Sequence, residues 1–154
     1  MRTSVDVHNF LLERGVPHEM VPTGGRLRSP DRMAAILGLP PEQVGRVVLL
    51  RGAGDLVAAL IPSHRIPDPH GIARATGQTE LVELPPNRVT EATDYLQEAL
   101  PPAGLPSGTR VVMDRTLAEQ EILYFPGGEP SSLLKIRPDD LARATDALVA
   151  TVAE

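Results

Sequence analysis

Apolar positions along this 154-residue chain recur with two periods, and the switches between them mark out its elements. Val7, Phe10 and Leu11 share a helical face after Ser4, a capping residue, and Gly15 can end that helix. Residues 16–21 read as a strand broken by Thr23-Gly24-Gly25. A second helix follows: Ser29 caps, Pro30 takes the first turn, Met33, Ala34, Ile36 and Leu37 supply its apolar face, and Gly38 stops it. Residues 46–51 and 56–61 are apolar and β-branched around Gly52-Ala53-Gly54-Asp55, which predicts a hairpin central in a sheet. Asp68-Pro69 opens a weaker helix through Ala75, Gly77 precedes a strand at 81–84, and Pro85-Pro86 ends it. Residues 89–93 predict a single helical turn, and strands follow at 109–113, 122–125 and 133–136. Between the last two, Pro126-Gly127-Gly128 lets a backbone approach closely, since glycine has no Cβ. A final helix over 138–152 sets Leu141, Ala144, Leu148 and Val152 on one stripe.

Three or four helices with about six to seven strands, several joined as hairpins, predict an α+β fold rather than a doubly wound parallel sheet. With 42% hydrophobic residues and no linker or repeat, residues 1–154 are expected to form one domain. No stretch reaches the roughly 20 apolar residues of a membrane span, and Met1 opens no signal-type segment, so a cytoplasmic location is expected. The absence of cysteine removes thiolate nucleophiles and cysteine-type zinc sites.

Charge narrows the choice of partner. The net charge of −5 argues against broad nucleic-acid coating. Yet residues 1–75 hold nine arginines against seven acids, while residues 76–154 hold five arginines and Lys135 against thirteen acids. Arg26, Arg28, Arg32, Arg46, Arg51, Arg65 and Arg74 could thus face phosphate at one end of an RNA. His8, His18, His64 and His70 show no i, i+4 pairing, and no metal site is expected. There is no nucleophile elbow, Walker loop or dinucleotide fingerprint. Only Phe10, Tyr95, Tyr124 and Phe125 are aromatic, too few for a single-strand stacking platform. Asp139-Asp140 suit the start of the last helix better than acid/base work.

One loop stands out: "TDYLQEALPPAGLP", residues 93–106, stiffened by prolines and a glycine but approached by Asp94, Tyr95 and Glu98. Together with "AAILGLPPEQVGRVVLL", "DLVAALIP", "TRVVMD" and "YFPGGEPSSLLKIRPDDL", in that order and spacing, it resembles the YbaK/ProX family of aminoacyl-tRNA deacylases, related to the editing insertion of bacterial prolyl-tRNA synthetase. The resemblance covers nearly the whole chain. It implies a mixed, mostly antiparallel, barrel-like sheet with helices packed outside, and a pocket for the aminoacylated 3′ end of a tRNA. It implies hydrolysis of the ester of a wrongly attached small amino acid, with no metal or cofactor, and a synthetase as a further partner. The attacking water would be helped by the tRNA's own ribose hydroxyl, and oriented N–H groups would stabilise the developing oxyanion by roughly 3–4 kcal/mol each.

By that resemblance Arg46, where the family carries a lysine, positions the substrate, and the amides around Gly104 meet the scissile carbonyl. Thr93, Asp94, Tyr95, Glu98, Pro102, Ala103, Leu105, Gly127 and Gly128 would line the pocket. Asp94 and Glu98 replace glycines of the family loop, whereas Thr93, Tyr95, Pro101, Pro102, Gly104 and Leu105 match it. A carboxylate at Glu98 would repel a developing oxyanion unless paired, and an ion pair of Arg46 with Glu98 or Asp94 could close the pocket or recognise a charged group such as an α-ammonium. The alternative is a member that binds the tRNA 3′ end or an aminoacyl ligand without turnover.

Overall fold

In the computed structural model, which describes residues 1–26 and 30–154, the most deeply buried strand is β3 (Val57–Pro62), every residue of which is buried. Its run of Val, Ala, Leu and Ile has no polar face because it is flanked on both sides and covered on both faces. It pairs antiparallel with β2 (Gly45–Arg51) and parallel with β5 (Arg110–Asp114). The short β4 (Val82–Glu83) and β8 (Leu148–Ala150) close a five-stranded sheet of order β4-β2-β3-β5-β8. A second, antiparallel sheet has the order β1-β7-β6, from Glu19–Pro22, Ser132–Ile136 and Leu123–Pro126. A parallel bridge between Val44 and Tyr124 joins the two.

The sheets curl around the main core, where Val47, Leu49, Leu60, Met113, Phe125 and Leu134 meet Val7 and Leu11 of helix α1 (Ser4–Glu13). The opposite face of the larger sheet packs Val48, Ala59, Ile61 and Val112 against Ile72 of α3 (Pro69–Thr76) and against Val152. Helix α2 (Pro30–Leu37) sets Met33 and Ala34 against Val44 and Leu133. A Cβ on Gly45 would stand 2.3 Å from the Phe125 ring, so any other residue there would push that buried ring aside. This is the α+β fold expected, with mixed, mostly antiparallel sheets curled into a barrel-like body.

Several boundaries moved, each for a local reason. Thr3, not Ser4, caps α1: its side chain takes the Val5 amide and Asp6 returns a bond to the Thr3 amide. The predicted turn at 89–93 is the end of α4 (Pro86–Thr93), which starts on the proline predicted to stop a strand. Asp114 caps a one-turn α5 (Arg115–Ala118) that hydrophobic periodicity does not reveal. The last helix, α6 (Pro138–Thr145), stops seven residues short of the predicted end. Asp146 turns left-handed (φ 55) and the chain re-enters the sheet as β8, the eighth strand among the described residues. The predicted cap Ser29 and the predicted patch residue Arg28 lie outside the described residues.

Asp114 also holds the chain end. Buried at the end of β5, its Oδ1 accepts the amides of Val152 and Ala153 at 2.9 and 3.0 Å, and Oδ2 accepts from Thr116. Asp114→Ala strands two buried amides at about 1–3 kcal/mol each, an expected loss of roughly 2–5 kcal/mol of unfolding free energy. Urea unfolding measures it, and Asp114→Asn, which keeps an acceptor oxygen, should lose less.

Candidate functional site

The loop that follows α4 is built from its own side chains. Thr93 Oγ1 donates to the Val89 carbonyl and accepts the Tyr95 amide, turning the chain at the helix end. Asp94 occupies the left-handed region (φ 64), a conformation natural to glycine and tolerated by aspartate, so replacing glycine there costs little. The Asp94 carbonyl accepts the Arg2 amide at 2.8 Å. Tyr95 is fully buried, and its hydroxyl donates to the Gly104 carbonyl at 3.0 Å, tying the two ends of the loop together. Burial pushes the Tyr95 phenol up to about 12, against a partial opposing pull from Arg2.

The tip of the loop is a 3-10 turn at Gln97–Ala99. The Glu98 carboxylate is ion-paired with the Arg26 guanidinium, which comes from the connection between β1 and α2. Beside it the Gly128 amide donates to the Ala99 carbonyl at 3.0 Å, while the Gly127 amide closes the β6–β7 hairpin on Ser132. A Cβ on Gly128 would lie 2.9 Å from both the Thr3 carbonyl oxygen and Val7 Cγ2, and its φ is +99°. The diglycine turn therefore lies directly on the first turn of α1, and Glu129 holds the Ser4 amide at 3.1 Å. Loop tip, diglycine turn and helix start form one cluster.

Arg46 stands on a particular side of this cluster. Gly45 points inward beneath Phe125, so the strand alternation turns Arg46 outward with Val44, toward the face covered by α2. Its register partner Ile61 packs on that outer face, and Arg46 Nη2 donates to the Arg65 carbonyl at 2.8 Å. The bridge from Val44 to Tyr124 sets the start of β2 beside β6, the strand that runs into Gly127.

The sequence-predicted residues thus divide into two groups. Glu98, Gly127 and Gly128 meet at the loop tip, and Thr93, Asp94 and Tyr95 hold that loop in place. Pro102, Ala103, Gly104 and Leu105 instead line a cleft of ≈170 Å³ with Phe10, Arg14, Val111, Ala144 and Thr145, on the side of α1 and α6. Ala103 and Leu105 pack into the inner core, the face of β2 that Arg46 does not share. The structure does not bring Arg46 and Gly104 together, because one residue of strand alternation separates inward from outward. Nor is Arg46 the cation on Glu98; that place is taken by Arg26. No local signal marks this pair, whose members lie 72 residues apart.

At the tip Gly127 and Gly128 are buried, their amides bonded to Ser132 and Ala99, and the polar groups beside them are the Glu98 carboxylate and the Arg26 guanidinium. A family model for the aminoacyl-tRNA editing domain matches residues 26–144. Among solved structures, the crystal structure of a hypothetical protein is 27% identical with a TM-score of 0.90, covering 97% of this chain and 99% of that one. A candidate trans-editing enzyme for prolyl tRNA synthetase is 23% identical with a TM-score of 0.83, covering 98% and 96%. At that identity the likeness speaks for the fold.

Tyr95 supplies a test of the loop's closure. Its pKa is raised in the folded state, so its contribution to stability is complete below pH 10 and is lost as pH rises toward 12. Tyr95→Phe should cost about 1 kcal/mol at neutral pH through the lost bond to Gly104. The variant should also lack the alkaline loss that urea unfolding between pH 9 and 12 detects in the wild type; parallel curves would contradict the buried, neutral phenol.

Proposed function

Because this chain belongs to the aminoacyl-tRNA editing domain family, we propose that it is a deacylase acting in trans, hydrolysing the ester that links a small amino acid to a mischarged tRNA. The observation that carries this reading is the solvent-accessible Arg26–Glu98 pair at the loop tip, held in place by the bond from Gly128 to Ala99. It supports placing the scissile ester at the loop tip rather than at the Gly104 bend. The Gly127, Gly128 and Ala99 amides are already bonded within the protein, so the donor that faces a developing oxyanion at the tip is the Arg26 guanidinium, and one such donor contributes roughly 3–4 kcal/mol. Arg26 and Arg46 supply positive charge on the α2 side for the phosphates of the acceptor 3′ end. The Pro102–Leu105 bend, tied down by Tyr95, keeps the tip rigid. The water attacks an ester that is already activated, and the substrate's own ribose hydroxyl can assist it.

One observation favours a second reading, binding without turnover. Glu98 puts a carboxylate where the family loop carries glycine, and among the described residues its charge is offset by the Arg26 pair. If Glu98 blocks the chemistry, Arg46→Lys with Glu98→Gly should install hydrolysis in a protein that otherwise only binds.

The deciding experiment is deacylation of a mischarged panel, including alanyl- and cysteinyl-tRNA of proline type, at micromolar protein. The wild type should hydrolyse at least one member. Arg46→Ala should lower kcat/KM about 10- to 100-fold, as loss of a charged contact of about 1.5–3 kcal/mol would. A panel left intact overturns the deacylase reading, and a blank double variant overturns the second.

A further inference from the structure

Away from the loop, two histidines that are ten residues apart in sequence meet at the surface. Helix α1 presents His8 on its exposed side, and the chain reverses through Arg14 and Gly15 (φ +68) to bring His18 back beside it. His8 Nδ1 lies 2.8 Å from His18 Nε2, with the ring centroids 4.9 Å apart and the planes tilted by 56°.

The bonding around His18 decides what the pair can do. Its Nδ1 lies 2.8 Å from the Val16 carbonyl oxygen. A carbonyl only accepts, so Nδ1 carries the hydrogen and the neutral ring directs its Nε2 lone pair at His8. A backbone carbonyl holding the far ring nitrogen is the outer-shell arrangement that orients metal-ligating histidines and raises their basicity. Two imidazole nitrogens bound to one tetrahedral ion at about 2.0–2.1 Å stand roughly 3.3 Å apart. The observed separation is therefore about half an ångström short of a chelating pair, a gap that small rotations of two surface rings can open.

We propose that His8 and His18 form a two-nitrogen site for a divalent transition ion of the borderline class, such as Cu²⁺ or Zn²⁺. Imidazole ligation favours these ions over Mg²⁺ and Ca²⁺. The ion takes the place of the hydrogen between the rings: His8 moves its proton from Nδ1 to Nε2, His18 keeps its bond to Val16, and both facing lone pairs bind the metal. Among the described residues no group of three or more His, Asp or Glu side chains converges to hold an ion, so water fills the remaining positions. The site is independent of tRNA chemistry.

The test titrates the full chain with Cu²⁺, followed by electron paramagnetic resonance, and with Zn²⁺, followed by calorimetry, for wild type, His8→Ala and His18→Ala. The wild type should bind one ion per chain with nitrogen hyperfine structure from two imidazoles. Either substitution should weaken binding at least tenfold and leave one imidazole nitrogen. Both rings are solvent-accessible, so the variants should keep the wild-type Tm without metal, and Zn²⁺ should raise Tm only in the wild type. Equal affinity in all three proteins, or a wild-type spectrum with fewer than two imidazoles, overturns the proposal.

Discussion

The absence of a side chain at Gly128 is the constraint on which the candidate site depends. Its α-carbon lies against Thr3 and Val7, with no room for a methyl group, in a left-handed conformation that glycine adopts without strain. That close approach seats the β6–β7 turn on α1 and aims the Gly128 amide at Ala99. Residues 3–7, 98–99 and 127–129 thereby occupy one place although the chain separates them widely. Tyr95 completes the arrangement from the other side, fixing the loop's return at Gly104 so that its tip cannot drift from the glycines.

Charge is distributed around that backbone frame rather than built into it. The Arg26–Glu98 pair is partly solvated, with the arginine side chain 55% exposed, and such pairs add only about 0–1 kcal/mol to stability. Its interest is therefore in exchange: an incoming phosphate can draw Arg26 away at little cost to the fold. Arg46 differs, being half-buried and donating to the Arg65 carbonyl beyond the end of β3. A cation held on a strand keeps its position while one on a connecting segment can move, and a site that must admit a tRNA end can use both.

Most of the architecture was legible in the sequence because local signals agreed with tertiary demands. The β2–β3 hairpin, the proline-started helices and the diglycine turn each carry their own punctuation, and long-range order followed from a resemblance in landmark spacing. What escaped detection had a contrary local signal or none. Leu148 and Val152 sit at helical spacing from Leu141, yet a left-handed Asp146 cuts the helix and parallel pairing with β5 takes the segment. The expected meeting of Arg46 with the Gly104 bend failed because strand register, fixed here by the glycine under Phe125, decides which way a side chain faces. Partnerships such as Arg26 with Glu98 and His8 with His18 belong to the folded surface alone, where neither composition nor spacing records them.

The central claim is that an aminoacylated adenosine docks at the loop tip. It is tested most directly by amide chemical-shift mapping with a non-hydrolysable aminoacyl-adenosine analogue. The account predicts the largest shifts at Glu98, Ala99, Gly127 and Gly128, with Arg26 and Arg46 responding at their side chains. Shifts confined to Ala103–Thr109 with Phe10 and Arg14 would place the ligand in the cleft beside α1 and α6 and contradict it.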